Sequence, residues 1–365
     1  MNARIADLFA GAGGTSEGAK RIGMKVVWAA NHWPAAVEVH RRNHPETLHV
    51  CQDLQQFDFR RMPHHDILWA SPACQGHSEA AQPSRLASST AAATHDAMRS
   101  TAWAVLSAVE AKVPRAFVVE NVPAFAAWTF PDVVLREGLG KREATAIAAA
   151  LEPDQPGVTF VVAKRAGGWV VLRRSPPGLL YRHWLRSFLL AGYRVTEQVL
   201  NAAKFGVPQR RHRLIIVGCL DREIPIVEPA VLPRDEPTLA PILDFDAGEW
   251  ARIADHPKPG ARARLQHAQD TFGGAPCWGW HASHSGAWAR AVDQPANTLT
   301  TQNQHYLVRG REHRLWSVEE TLRVQDLRPD YLDGVQRTAA LVMAGNAVPP
   351  GLAAGVLAQV AEAAL

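Results

Sequence analysis

The chain has 365 residues, 47% of them apolar, enough for a sizeable core and for about two domains. Its formal charge of +4 and isoelectric point near 9.0 permit an anionic partner without requiring one. The four cysteines, at 51, 74, 219 and 277, form no Cys-x-x-Cys pair or zinc-ligand cluster, and no leader-like segment or membrane-length apolar run stands out, so a soluble, reduced, cytoplasmic protein without structural metal is expected.

In chain order, apolar strand-like runs are predicted at 4–9, 25–30, 66–70, 116–120 and 213–218. Their apolar character is continuous rather than alternating, which fits strands covered on both faces, as in a parallel sheet. Helices are predicted between them at 15–22, 33–43, 95–112 and 181–191, and later at 317–325, 335–343 and 350–364. This alternation predicts an α/β, doubly wound, mostly parallel sheet with ligands at the carboxyl ends of its strands.

The first strand runs into Ala10-Gly-Ala-Gly-Gly14, a turn where small residues let a ligand approach the backbone at a helix start. The third ends in Trp69-Ala-Ser-Pro-Ala-Cys-Gln-Gly-His-Ser78, which displays Cys74 on a small-residue loop where a thiol is placed for nucleophilic chemistry. The fourth ends in Glu120-Asn121; a carboxylate there is either paired for structure or an active-site acid. Segments 158–162 and 168–172 read as a hairpin inside a stretch, near 135–180, that looks inserted. Gln209-Arg-Arg-His-Arg213 puts cations at the entrance of the fifth strand, and Gly345-Asn-Ala-Val-Pro349 introduces the last helix. From 221 to 305 prolines and glycines break the periodicity, predicting loops and short strands.

These blocks, with Arg314 to Leu327, resemble the DNA cytosine 5-methyltransferase family in order and spacing over nearly the whole chain. The resemblance implies methyl transfer from S-adenosylmethionine to carbon 5 of cytosine in duplex DNA, with the target base flipped out of the stack. It assigns Cys74 to attack carbon 6 of the base, and Glu120, kept neutral by burial, to hold or protonate ring nitrogen 3; Arg211 and Arg213 would hold the base, the loop or a phosphate. For the cofactor it implies Phe9 against the adenine, the Gly11, Gly13 and Gly14 backbone beside the methionine moiety, Asp53 on the adenine amino group and Asn346 near the methionine end. Gln75, Ser78 and Arg85, on the loop after Cys74, are candidate DNA contacts.

The resemblance further implies a catalytic domain at 1–220, a target-recognition domain at 221–305 and helices at 306–365 returning to the first domain. A cognate restriction endonuclease is the implied second partner of a monomeric enzyme. Two positions depart from the family pattern: Ala73 rather than proline precedes Cys74, and His32 stands where an acid usually meets the ribose hydroxyls. Two alternative readings keep the same fold: an RNA cytosine 5-methyltransferase and a catalytically idle DNA-binding protein. The retained thiol, acid and cofactor positions argue against the second, and the long segment between the matched motifs argues against the first.

Overall fold

A computed structural model describes residues 3–73, 101–129, 133–151, 159–165, 167–280, 289–301 and 305–365. Its first strands are β1 (Arg4–Leu8), β2 (Lys25–Asn31), β3 (Leu48–Cys51), β4 (Ile67–Ala70) and β5 (Ala116–Asn121), separated by helices α1 (Gly14–Arg21), α2 (Pro34–Asn43) and α3 (Thr101–Lys112). Every residue of β4 and β5 is buried. Side chains alternate across a strand, so Ile5, Ile67, Trp69 and Val118 enter one apolar cluster while Leu8, Leu68, Phe117 and Val119 enter another on the opposite face. The sheet is thus covered on both sides, as its continuous apolar runs predict.

After β5 come β6 (Val133–Leu139), α4 (Lys141–Leu151), β7 (Thr159–Arg165), β8 (Gly168–Arg174) and α5 (Leu179–Leu190). Strands β9 (Arg194–Asn201), β10 (Gln209–Arg210) and β11 (His212–Cys219) follow. The main sheet has seven strands in the order β3-β2-β1-β4-β5-β11-β9, parallel through β5 and antiparallel where β11 joins β5 and β9. This is the expected doubly wound sheet with an antiparallel edge.

The expected hairpin is present, since β7 pairs antiparallel with β8, but it belongs to a larger unit. Strand β6 makes a third strand and α4 packs Ala144 and Ala148 over Phe160 and Val171. The unit thus has its own small core.

Beyond residue 220 lie β12 (Ala251–Arg252), α6 (Pro259–Thr271), β13 (Cys277–Trp280), β14 (Ala289–Ala291), β15 (Ala296–Asn297), β16 (His305–Arg309) and β17 (Glu312–Leu315). Five of these strands form a second sheet in the order β12-β17-β16-β13-β14. That sheet runs on to Leu315, ten residues past the boundary expected at 305. Helices α7 (Val318–Val324), α8 (Arg337–Asn346) and α9 (Pro350–Ala364) then return to the main sheet, where Leu352, Val356 and Val360 of α9 join Ile5 and Ala19 in one cluster.

One expectation from composition needs correcting. Arg337–Ala364 is long and apolar enough to cross a membrane by length and composition, but 72% of its most apolar window is buried within the fold. Its hydrophobicity serves the core, where α9 covers the first sheet face.

Candidate active site

The turn after β1 folds as it does because of two different demands on its residues. Phe9 and Gly11 take left-handed backbone conformations, φ 58 and 56, and nothing lies within 4 Å of where a Gly11 side chain would begin. Gly13 and Gly14 answer to packing: a β-carbon on Gly14 would lie 2.1 Å from the Val348 carbonyl oxygen, and one on Gly13 would lie 2.7 Å from the Tyr331 hydroxyl. Gly11 and Phe9 line a cavity of about 590 Å³ at the carboxyl ends of the strands, whereas Gly13 and Gly14 are not among its lining residues. Both glycines are thus closely packed, Gly14 against Val348 and Gly13 against Tyr331, His40 and His44.

Beneath this turn lies a buried polar chain that the sequence did not flag. The Ser16 hydroxyl donates to Asp7 Oδ2 at 2.8 Å, His40 Nε2 lies 2.9 Å from Ser16 Oγ, and His49 Nε2 lies 2.8 Å from His40 Nδ1. Burial pushes the Asp7 carboxyl up to about 7 and holds His40 well below the ordinary imidazole value. The Tyr331 hydroxyl, 3.0 Å from His44 Nε2, lies within hydrogen-bond distance of the Ala12 and Gly13 carbonyls. Tyr331 is fully buried, and no local motif marks it.

The next strands bring the remaining cofactor candidates to the same cavity. Asn31 accepts from the Trp33 amide through its side chain, shaping the turn that presents His32, an exposed residue at the cavity wall. Asp53 lines the cavity and caps the following turn by accepting from the Gln55 amide at 3.0 Å. Its capping duty occupies one carboxylate oxygen, and the other remains for a ligand. Asn346, at the end of α8, lines the same cavity. A concave, largely apolar space with a few convergent polar groups fits a ligand of nucleoside size, and roughly 300–1,000 Å³ is the ordinary range for such sites.

The catalytic candidates approach from the other side. Cys74, Gln75, Ser78 and Arg85 lie outside the described residues. The stem before them is held at two points: Asn121 Nδ2 donates to the Pro72 carbonyl at 3.1 Å, and the Thr101 hydroxyl accepts from the Ala73 amide at 3.1 Å. Asn121 is the neighbour of Glu120 on β5, so one strand end supports both the stem and the acid. Residues 71–73 and Glu120 line the cavity together with Arg211 and Arg213.

Glu120 and Arg213 form a buried ion pair, with Arg213 Nε 2.8 Å from Glu120 Oε1. The structural pairing foreseen for this carboxylate is thus present, and the paired acid lines the cavity. Arg211 donates to the Leu299 carbonyl at 3.1 Å and to the Gly345 carbonyl at 2.9 Å, joining the entrance of β11 to the start of the Gly345–Pro349 block. Gln209, fully buried, reaches Gln325 Oε1 at 2.8 Å and accepts from the Leu299 amide. Arg211 is thus a strut at the cavity edge, while Arg213 is the cation on the acid.

Arg213→Ala should leave Glu120 buried without the cation that pairs with it among the described residues. Such removals cost about 3–5 kcal/mol, a loss that thermal melting near neutral pH reads directly. Arg213→Lys should restore part of it, because lysine keeps the charge but not the guanidinium fork.

The sequence profile of C-5 cytosine-specific DNA methylases matches residues 3–129 and 172–362. The chain belongs to that family. Among proteins similar to this methylase, the type II methyltransferase M.NgoBI of Neisseria gonorrhoeae is 26% identical over 94% of this chain and 88% of its own length. M.NlaX of Neisseria lactamica is 28% identical over 60% of this chain and 53% of its own length. In fold, the methylase resembles the Dnmt2 methyltransferase of S. pombe, at TM-score 0.61 and 13% identity with 99% of each chain covered. The EhMeth methyltransferase of Entamoeba histolytica is similar at TM-score 0.59, covering 100% of this chain and 99% of its own. The family profile leaves out residues 130–171, which hold the three-stranded unit up to most of β8.

Proposed function

We propose that the protein transfers a methyl group from S-adenosylmethionine to carbon 5 of cytosine within a specific duplex DNA sequence. The observation that carries this reading is one cavity in which the Gly11 turn, the stem of the cysteine loop, Glu120 and Arg213 converge, in a chain of this family. S-adenosylmethionine, when bound, supplies an electrophilic methyl group. Phe9, Gly11, His32, Asp53 and Asn346 would hold it, with Gly13 and Gly14 packing the turn from below.

Cytosine carbon 5 is a weak nucleophile until carbon 6 receives electrons. Addition of the Cys74 thiolate to carbon 6 forms a carbon–sulfur bond and moves the ring electrons toward carbon 5 and nitrogen 3. Glu120 would hold nitrogen 3 or give it a proton as that charge develops, and Arg213, 2.8 Å from its carboxyl, would orient it. Carbon 5 then takes the methyl group. Removal of its proton restores the ring double bond and expels the thiolate.

Duplex DNA reaches this cavity only with its base extruded, at a cost of a few kcal/mol. Gln75, Ser78 and Arg85 would contact the strand beside the cysteine, and Arg85 would meet a phosphate. Residues 1–220 would form the catalytic domain, 221–305 would choose the sequence and 306–365 would close the cofactor side. A monomer acting in the cytoplasm, alone or beside a cognate restriction endonuclease, completes the reading.

The test is to sequence 5-methylcytosine in DNA from cells expressing the protein. Methylation at one recurring sequence is expected, and exchange of 221–305 for the matching segment of a relative should change that sequence. Absence of 5-methylcytosine from cells with abundant folded protein would overturn the proposal. An unchanged sequence in an active exchange variant would move base selection out of 221–305.

A further inference from the structure

Most of the three-stranded unit between β5 and α5, residues 130–171, lies outside the family profile, and none of the unit lines the cavity. Its two ends meet at a hydrogen bond of 2.7 Å from the Thr129 hydroxyl to the Pro176 carbonyl, so it is a pinched-off element with its own core. Its root lies nine residues after Glu120, which lines the cavity from the carboxyl end of β5.

Its charge is uneven. Residues 130–174 hold seven of the chain's lysines and arginines (136, 141, 142, 164, 165, 173, 174) against five acids (132, 137, 143, 152, 154), so a net +2 of the chain's +4 sits in this short stretch. Three of the cations gather at the end away from the root. Lys141 Nζ lies 5.3 Å from the centre of the Trp169 ring, Lys164 is directly opposite Trp169 in the pairing of β7 with β8, and Arg142 follows Lys141 at the start of α4. All three are exposed and make no ion pair with a described acid. Glu143, in the first turn of α4, accepts from the Gly140 amide.

We propose that this unit is an additional DNA-binding arm whose outer end, carrying Lys141, Arg142 and Lys164, grips the phosphate backbone of the duplex outside the methylated sequence. The inference rests on the DNA methylase reading above. Strands β7 and β8 have seven residues each, a reach of about 23 Å at ~3.3 Å per residue, so the outer end meets DNA about six or seven base pairs from the root at ~3.4 Å per pair. Cations facing phosphates bind without reading bases, so the arm adds affinity and leaves the sequence choice unchanged.

The experiment compares the full chain with a K141Q/R142Q/K164Q variant on two duplexes carrying the methylated site, one ending about three base pairs beyond the site on each side, short of the outer end's reach, and one of about 40 base pairs, across a salt series. Three lost phosphate contacts should weaken binding to the long duplex about tenfold or more near 0.1 M salt and flatten the plot of log affinity against log salt by about 2.7. Binding and methyl transfer on the short duplex should stay at parental levels. Equal weakening on both duplexes, or no weakening on either, would overturn the arm, as would a loss seen only with double-stranded RNA or with a protein partner. Failure of both chains to methylate the short duplex would instead sink the methylase reading itself. The substitutions lie on exposed positions, so a melting temperature equal to the parent's is expected and separates charge loss from misfolding.

Discussion

Incubated with S-adenosylmethionine and duplex DNA bearing 5-fluorocytosine at its site, the protein should form a complex that survives denaturation. Fluorine at carbon 5 cannot leave as a proton does, so the ring double bond is not restored and the carbon–sulfur bond persists. Cys74→Ala should form no such complex and should lower methyl transfer by about 10⁴-fold, since a missing nucleophile removes a bond that no neighbour replaces. The three other cysteines sharpen the comparison. Cys219 and Cys277 are buried and Cys51 is exposed on β3, none of them in the Pro72–Ala73 stem. A denaturation-resistant complex in Cys74→Ala would move the nucleophile elsewhere.

The second large effect is in stability against pH. Asp7 titrates at 3.8 in an unfolded chain and at about 7 when buried, so between those values the folded state binds more protons than the unfolded one. Its contribution is fully present below 3.8 and is lost as pH rises through 7, a swing of about 4 kcal/mol. His44 runs the other way: burial lowers it from 6.5 to about 4, so its contribution is present above 6.5 and is lost as pH falls toward 4, by about 3 kcal/mol. His40 and His49 are lowered too, chiefly by desolvation, and add to the loss on the acid side.

Asp7→Asn keeps the acceptor for Ser16 and removes the proton. Melting curves should therefore show the variant more stable than the parent at pH 8 by about 2–4 kcal/mol, with the gap closing near pH 4. A gap that does not vary with pH would mean that Asp7 holds no displaced proton.

The central strands were legible because burial on both faces leaves no alternation, and β4 and β5 carry that signature without interruption. Strand β9 was not legible: it is an edge strand with Thr196, Glu197 and Gln198 along it, a polar run that reads as loop until β11 supplies its partner. In the inserted unit the β-branched runs of β7 and β8 announced a hairpin, whereas β6 contains Arg136, Glu137 and Gly138 and becomes a strand only beside β8. Within the site, Glu120 and Arg213 were visible as charges at strand ends. Their pairing was not, because it depends on β11 lying antiparallel to β5. Tyr331 was out of reach altogether, since 318 residues separate it from the Gly13 carbonyl that it meets.

That separation also bears on when the protein becomes competent during its synthesis. The floor of the Gly11–Gly14 turn is made by Tyr331 and Val348, and α1 rests on Pro350 and Ala353. At roughly 5–20 residues per second, a ribosome needs on the order of 15–60 s to travel from the first of these elements to the last. For most of that interval the nascent chain has its β1 to β5 sequence but lacks Tyr331 and Val348 beneath the turn. A donor pocket therefore matures late, and truncation before residue 348 should yield a product that neither binds the donor nor modifies the DNA of the cell that is making it.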